Sequence, residues 1–185
     1  MTPDFEDLLT HLNAEGARYL VVGGYAVGIY AQPRATKDLD IFIGPDVANG
    51  EVVWRALAKF GAPVAGISAI ELAEPYTFFT WGNPPFRVDI LTHISGVTFE
   101  DAWSRRMVHT VNDATGLTAP FISAADLIIN KLEIRLDSLT VARSGYAGAL
   151  SPRCNASSRH RLTRLLTLLM NHAMRFLFSY QAARC

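Results

Sequence analysis

Three aspartates and two glycines are the residues of this chain best suited to chemistry. Asp38 and Asp40 lie in "KDLDIFIG", separated by one leucine. In a strand, residues i and i+2 point to the same face, so the spacing predicts two carboxylates side by side. Like charges that close hold a proton or a cation between them. Hard oxygen donors of this kind suit Mg²⁺ or Mn²⁺, which bind through a few carboxylates together with substrate phosphates. Asp89, in "FRVDIL", supplies a third carboxylate: Val88 and Ile90 take the core face and leave Asp89 on the other. Three such groups complete a two-metal site. The alternative for Asp89 is a surface charge or an ion-pair partner of Arg87.

The glycines add the phosphate side. Gly23 and Gly24 close the apolar run "YLVV" and open a helical stretch, so backbone N–H groups there approach an anion with no Cβ in the way. Arg34 and Lys37 place positive charge just ahead of the aspartates. A polyphosphate bridged by metal to Asp38 and Asp40, its tail toward Gly23 and Gly24, is a consistent picture.

The elements that position these residues are readable from period and punctuation. Phe5, Leu8, Leu9 and Leu12 recur at helical spacing between Pro3 and Gly16. A short buried strand follows in "RYLVVGG", then a helix ending before Pro33. In "KDLDIFIG" Leu39, Ile41 and Ile43 share one face and Asp38, Asp40 and Phe42 the other. Residues 47–60 read as a helix with Val53, Leu57 and Phe60 inward. "YTFFTWG" and "FRVDILTH" read as strands joined through "NPP". Thr98/Asp101 and Ser123/Asp126 have the spacing of capping boxes opening two further helices, with a strand pair around Gly116 between them. The expected class is α/β of the α+β type: a small mixed sheet flanked by helices, with an added C-terminal helix.

The spacing Gly-Gly, Arg34, Thr36, Asp-x-Asp, with a later apolar-Asp-apolar strand, resembles the DNA polymerase β-type nucleotidyltransferase superfamily. It is most similar there to the small bacterial AbiEii-like enzymes related to abortive-infection toxins. The resemblance covers residues 18–137. It implies the nucleotidyltransferase fold and a reaction: transfer of a nucleoside monophosphate from an NTP to a hydroxyl of tRNA, a protein or a small molecule, with release of pyrophosphate. By the same resemblance Asp38, Asp40 and Asp89 are catalytic and hold two Mg²⁺ or Mn²⁺ ions. Gly23, Gly24, Arg34, Thr36 and Lys37 line the NTP, and Lys131 faces the triphosphate from a helix. The other class of function is a nucleotide-binding or antitoxin-like partner module that keeps the fold without the chemistry.

Composition bounds the rest. Half of the 185 residues are hydrophobic and 18% are charged, as in a soluble globular protein. No apolar run has membrane-spanning length and "MTPDFEDLLTHL" does not read as a signal peptide. Cys154 and Cys185 are therefore expected as reduced thiols in a cytoplasmic protein, and no histidine falls at metal-ligand spacing. All 17 acidic residues precede Ser138, while the final 48 residues carry seven arginines and no lysine. The chain therefore divides into a nucleotidyltransferase domain at 1–140, a linker at 141–158 and a basic helix at 159–182. That helix packs its leucines on the domain or a partner protein, grips phosphates or an acidic partner through arginine, or is a foreign, frame-shifted tail.

Overall fold

The computed structural model describes residues 1–31, 36–83 and 85–145, with 135 and 137–145 as backbone only. Arg34, both cysteines and the expected basic helix at 159–182 lie outside the described residues. By its internal contacts the chain divides into Met1–Thr140 and Val141–Cys185. Everything below concerns the first unit, apart from the end of its last helix.

The chain opens with helix α1 (Pro3–Glu15), strand β1 (Tyr19–Val21) and helix α2 (Gly23–Tyr30). Strand β2 (Asp38–Ile43) and helix α3 (Val47–Phe60) follow, then two single 3-10 turns, Val64–Gly66 and Glu71–Ala73. Strands β3 (Phe78–Trp81) and β4 (Arg87–Leu91) form an antiparallel pair. Helix α4 (Phe99–Ser104), strands β5 (Met107–Asn112) and β6 (Leu117–Phe121), and helix α5 (Ala124–Gly145) complete the described chain. The six strands form one mixed sheet in the order β3-β4-β2-β1-β6-β5. The expected α+β class is what the structure has.

Local chemistry explains the boundaries. Proline occupies the first turn of α1, where its missing N–H costs nothing, and Gly16 ends the helix in the left-handed region at φ 73°. The Asp46 side chain accepts from Asn49 N–H to start α3, and Thr98 does the same for α4 through Asp101 N–H. Helix α5 starts on the Ser123/Asp126 box: Ser123 Oγ accepts from Asp126 N–H (3.2 Å) and donates to its carboxylate (2.6 Å). The helix then runs to Gly145, so its backbone continues through 141–145, where the sequence pointed to a linker.

One core holds these elements in register. Leu8, Leu9 and Leu12 of α1, Leu39, Ile41 and Ile43 of β2, and Val53 and Leu57 of α3 are fully buried in it. Each such side chain stabilises the fold by roughly 1.5–3 kcal/mol, so truncating Ile41 at the centre of β2 would loosen the strand that carries two of the aspartates. Phe60 is half-buried rather than inward, an aromatic at the rim that meets His11 edge-on.

The register matters most for function. β2 and β4 run parallel, pairing Leu39 with Val88 and Ile41 with Ile90 on the core face. On the opposite face Asp38 pairs with Arg87 and Asp40 with Asp89. Two residues along that face Phe42 is buried under Phe99 of α4, ring centroids 5.2 Å apart, which closes the apolar end of the surface.

Candidate active site

Asp40 and Asp89 are register partners on neighbouring strands, one buried to 9% exposure and the other half-buried. The alternation that put Asp89 off the core face therefore brings it to Asp40. Burial pushes the Asp40 carboxyl above its ordinary range, and the charge of Asp89 pushes it further. The Gly24 backbone N–H and the Lys131 ammonium pull it back, so Lys131 of α5 acts on this same group. Lys131 is itself exposed.

Gly23 sits where β1 hands over to α2. Val22 N–H donates to Asp40 C=O at 3.0 Å, which fixes the chain beside β2 at that point. Gly23 has φ +60°, and a Cβ built on it would fall 1.8 Å from Asp40 Oδ2. A Cβ on Gly24 would fall 2.6 Å from Thr36 Oγ1. The glycine pair thus has a use that the sequence did not reveal: it makes room for the Asp40 carboxylate and for Thr36. Thr36 in turn donates to the Asp38 C=O at 3.2 Å, tying the entry of β2. Lys37 is exposed, and its C=O accepts from Arg87 N–H at 3.4 Å.

Asp38 has a different partner from the other two. Arg87 donates to it through Nε (3.3 Å to Oδ1) and Nη2 (3.1 Å to Oδ2). The ion pair open to Arg87 on sequence grounds is therefore made with Asp38, its partner in register, and not with Asp89. Asp89 Oδ1 accepts instead from Thr80 Oγ1 at 2.5 Å, across the β3–β4 pair. Thr80 is the polar partner that sequence reasoning missed, and only the register of "TFFTW" against "RVDIL" points to it.

Among the described residues, no group of three or more His, Cys, Asp or Glu side chains closes on one point as metal ligands would. The chemistry of the donor set nonetheless fits a hard divalent cation. Two carboxylates face each other across adjacent strands, a third lies two residues along the same face, and the charge of one disfavours ionisation of the next. A cation is the group that would relieve that conflict.

An open cavity of about 620 Å³ lies between Trp54 of α3 and the segment Val64–Glu71 and shares no residue with the carboxylate face. No helix of the described residues is long and apolar enough to cross a membrane. Compared with known proteins, the sequence matches no protein-family model and no curated protein.

Proposed function

We propose that this chain is a metal-dependent nucleotidyltransferase, moving a nucleoside monophosphate from an NTP to a hydroxyl of tRNA, a protein or a small molecule. The observation that carries the reading is the pairing of Asp40 with Asp89 on the face where Asp38 also lies, beside a helix entered through Gly23. Asp38, Asp40 and Asp89 would hold Mg²⁺ or Mn²⁺, whose chemistry is to neutralise triphosphate charge and acidify the attacking hydroxyl. Asp89 takes that hydroxyl proton on Oδ2, because Thr80 already donates to Oδ1. The acceptor oxygen then bonds to the α-phosphorus while the bond to the pyrophosphate oxygen breaks. Lys131 and the N-terminus of α2 would offer positive charge to the phosphates. Gly23, Gly24, Thr36 and Lys37 belong to the same binding wall in this reading, and Arg34, outside the described residues, would bind the nucleotide with them. In this reading the protein works in the cytoplasm, where NTPs and tRNA are held.

The Arg87–Asp38 ion pair favours a second reading, a nucleotide-binding or antitoxin-like partner module without chemistry. One experiment separates them. The protein is incubated with each α-labelled NTP, Mg²⁺, and tRNA or cell lysate, alongside Asp40→Asn. Transfer by the wild type that falls at least about a hundredfold in the variant supports the enzyme. Nucleotide binding without transfer supports the module, and transfer that survives Asp40→Asn refutes the assignment.

A further inference from the structure

Arg87 opens β4 with its side chain about half exposed, at 52%, and lies over the carboxylate face. One edge of its guanidinium is engaged by Asp38, through Nε at 3.3 Å and Nη2 at 3.1 Å. Asp38 acts on it most strongly, and the charges of Asp89 and Asp40 reinforce the effect. The guanidinium is thus the counter-ion of Asp38, with a weaker pull from Asp89 and Asp40, and no other described basic side chain forms an ion pair there. Lys131 influences Asp40 only at a distance, and Lys37 is exposed. Two consequences follow from elementary electrostatics. A guanidinium on both oxygens of Asp38 competes with a divalent cation for those oxygens. The planar fork that fits a carboxylate also fits a phosphate, so a nucleotide brings Arg87 an alternative partner.

We propose that Arg87 is a built-in counter-cation that masks Asp38 in the nucleotide-free protein and releases it to the divalent cation when a triphosphate takes over the guanidinium. The proposal rests on the reading of the three aspartates as a cation site. It makes cation and nucleotide binding strongly cooperative and assigns the cooperativity to one side chain. Coupling of this kind is reciprocal: the factor by which nucleotide tightens the cation is the factor by which the cation tightens nucleotide.

The test is Mn²⁺ binding, followed by the paramagnetic resonance of the free ion, to the full chain and to Arg87→Gln. Each is measured with and without a mixture of the four NTP analogues whose α–β link does not hydrolyse. Without nucleotide, Arg87→Gln is expected to bind Mn²⁺ about tenfold tighter than wild type, the lower end for a charge-assisted pair that solvent screens. With nucleotide the difference shrinks or reverses. Circular dichroism checks folding; should Arg87→Gln not fold, Arg87→Lys, which loses the fork, carries the test with the same sign and a smaller gain. Equal Mn²⁺ affinity in wild type and variant, with binding lost in Asp40→Asn, overturns the role of Arg87 and leaves the cation site standing. No Mn²⁺ bound by any form, with or without nucleotide, or binding indifferent to Asp40→Asn, overturns both.

Discussion

Gly23→Ala tests the contact on which the site is built. The backbone there has φ +60°, and the new Cβ would lie 1.8 Å from Asp40 Oδ2, 2.5 Å from its Cγ and 2.9 Å from its Cβ. Two costs are involved and the molecule contains a control for one of them. Gly16 has φ +73° with nothing within 4 Å of a Cβ, so Gly16→Ala reports backbone strain alone, about 1 kcal/mol. Gly23→Ala carries that strain and also has to move a carboxylate out of its place, which adds roughly 1–3 kcal/mol of overpacking. The expected loss is thus about 2–4 kcal/mol against about 1 for Gly16→Ala, read as a difference in urea midpoints.

The excess should be traceable to Asp40. In an Asp40→Ala background the two nearest clashing atoms are gone and, of the three nearest, the 2.9 Å contact remains, so the excess cost of Gly23→Ala should fall by at least half. Activity, if the chain is the enzyme proposed, should fall about a hundredfold in Gly23→Ala, because a displacement of about 1 Å at a reacting group has that effect. Gly16→Ala should leave activity unchanged. A Gly23→Ala protein as stable as Gly16→Ala, with no coupling to Asp40→Ala, would show that α2 does not meet β2 as described.

Two further outcomes follow from buried polar groups. Asp126, at 1% exposure, accepts from the Arg105 fork at 2.7 and 3.1 Å and from Ser123 at the start of α5, so Asp126→Ala should cost about 2–3 kcal/mol in chemical unfolding; a loss under about 0.5 kcal/mol would deny it the capping role. Tyr19 is buried and donates to Asn13 Oδ1 at 2.8 Å, and burial pushes its phenol well above the ordinary value near 10. The unfolded chain therefore loses that proton first, so stability is flat in this term below pH 10 and falls as pH rises beyond it. Urea midpoints between pH 8 and 11 should show a shallower alkaline decline in Tyr19→Phe, and an unchanged slope would contradict the burial.

What the sequence disclosed depended on whether the signal was local. The leucines of α1 between Pro3 and Gly16, the alternation of β2 and the Ser123/Asp126 box are each set by neighbours within four residues, and each is found where expected. The parity that put Asp89 opposite Val88 and Ile90 is local too, and it sufficed to bring Asp89 to the acidic face. Partners across strands are a different matter. Whether Arg87 meets Asp38 or Asp89 depends on the β2–β4 register, and a shift of one residue would reverse every side chain. Thr80 is invisible for the same reason. The two 3-10 turns between Val64 and Ala73 follow no period at all, and the crowding of Gly23 against Asp40 emerges only when β1 and β2 are placed side by side.

The acidic face is poorly arranged if stability were its only purpose. Like charges directly opposite on paired strands are destabilising, and Asp40 is further penalised by burial. The Gly24 N–H and Lys131 compensate only in part, since the carboxyl stays above its ordinary range. Asn in place of Asp40 keeps an oxygen for Gly24 and turns a repelling group into an amide that donates to Asp89. Asp40→Asn should therefore raise stability by about 1 kcal/mol at neutral pH while abolishing the proposed transfer, the exchange that functional sites commonly show. The sign with pH is fixed by the raised value. Wild type takes up the proton before its unfolded chain does, so the advantage of Asp40→Asn grows as pH rises through the Asp40 titration and vanishes below the ordinary carboxylate range. An Asp40→Asn protein less stable than wild type at neutral pH would mean that the carboxylate is held by net-favourable contacts, as a structural residue is. The strongest physical reason for reading this face as a site would then be gone.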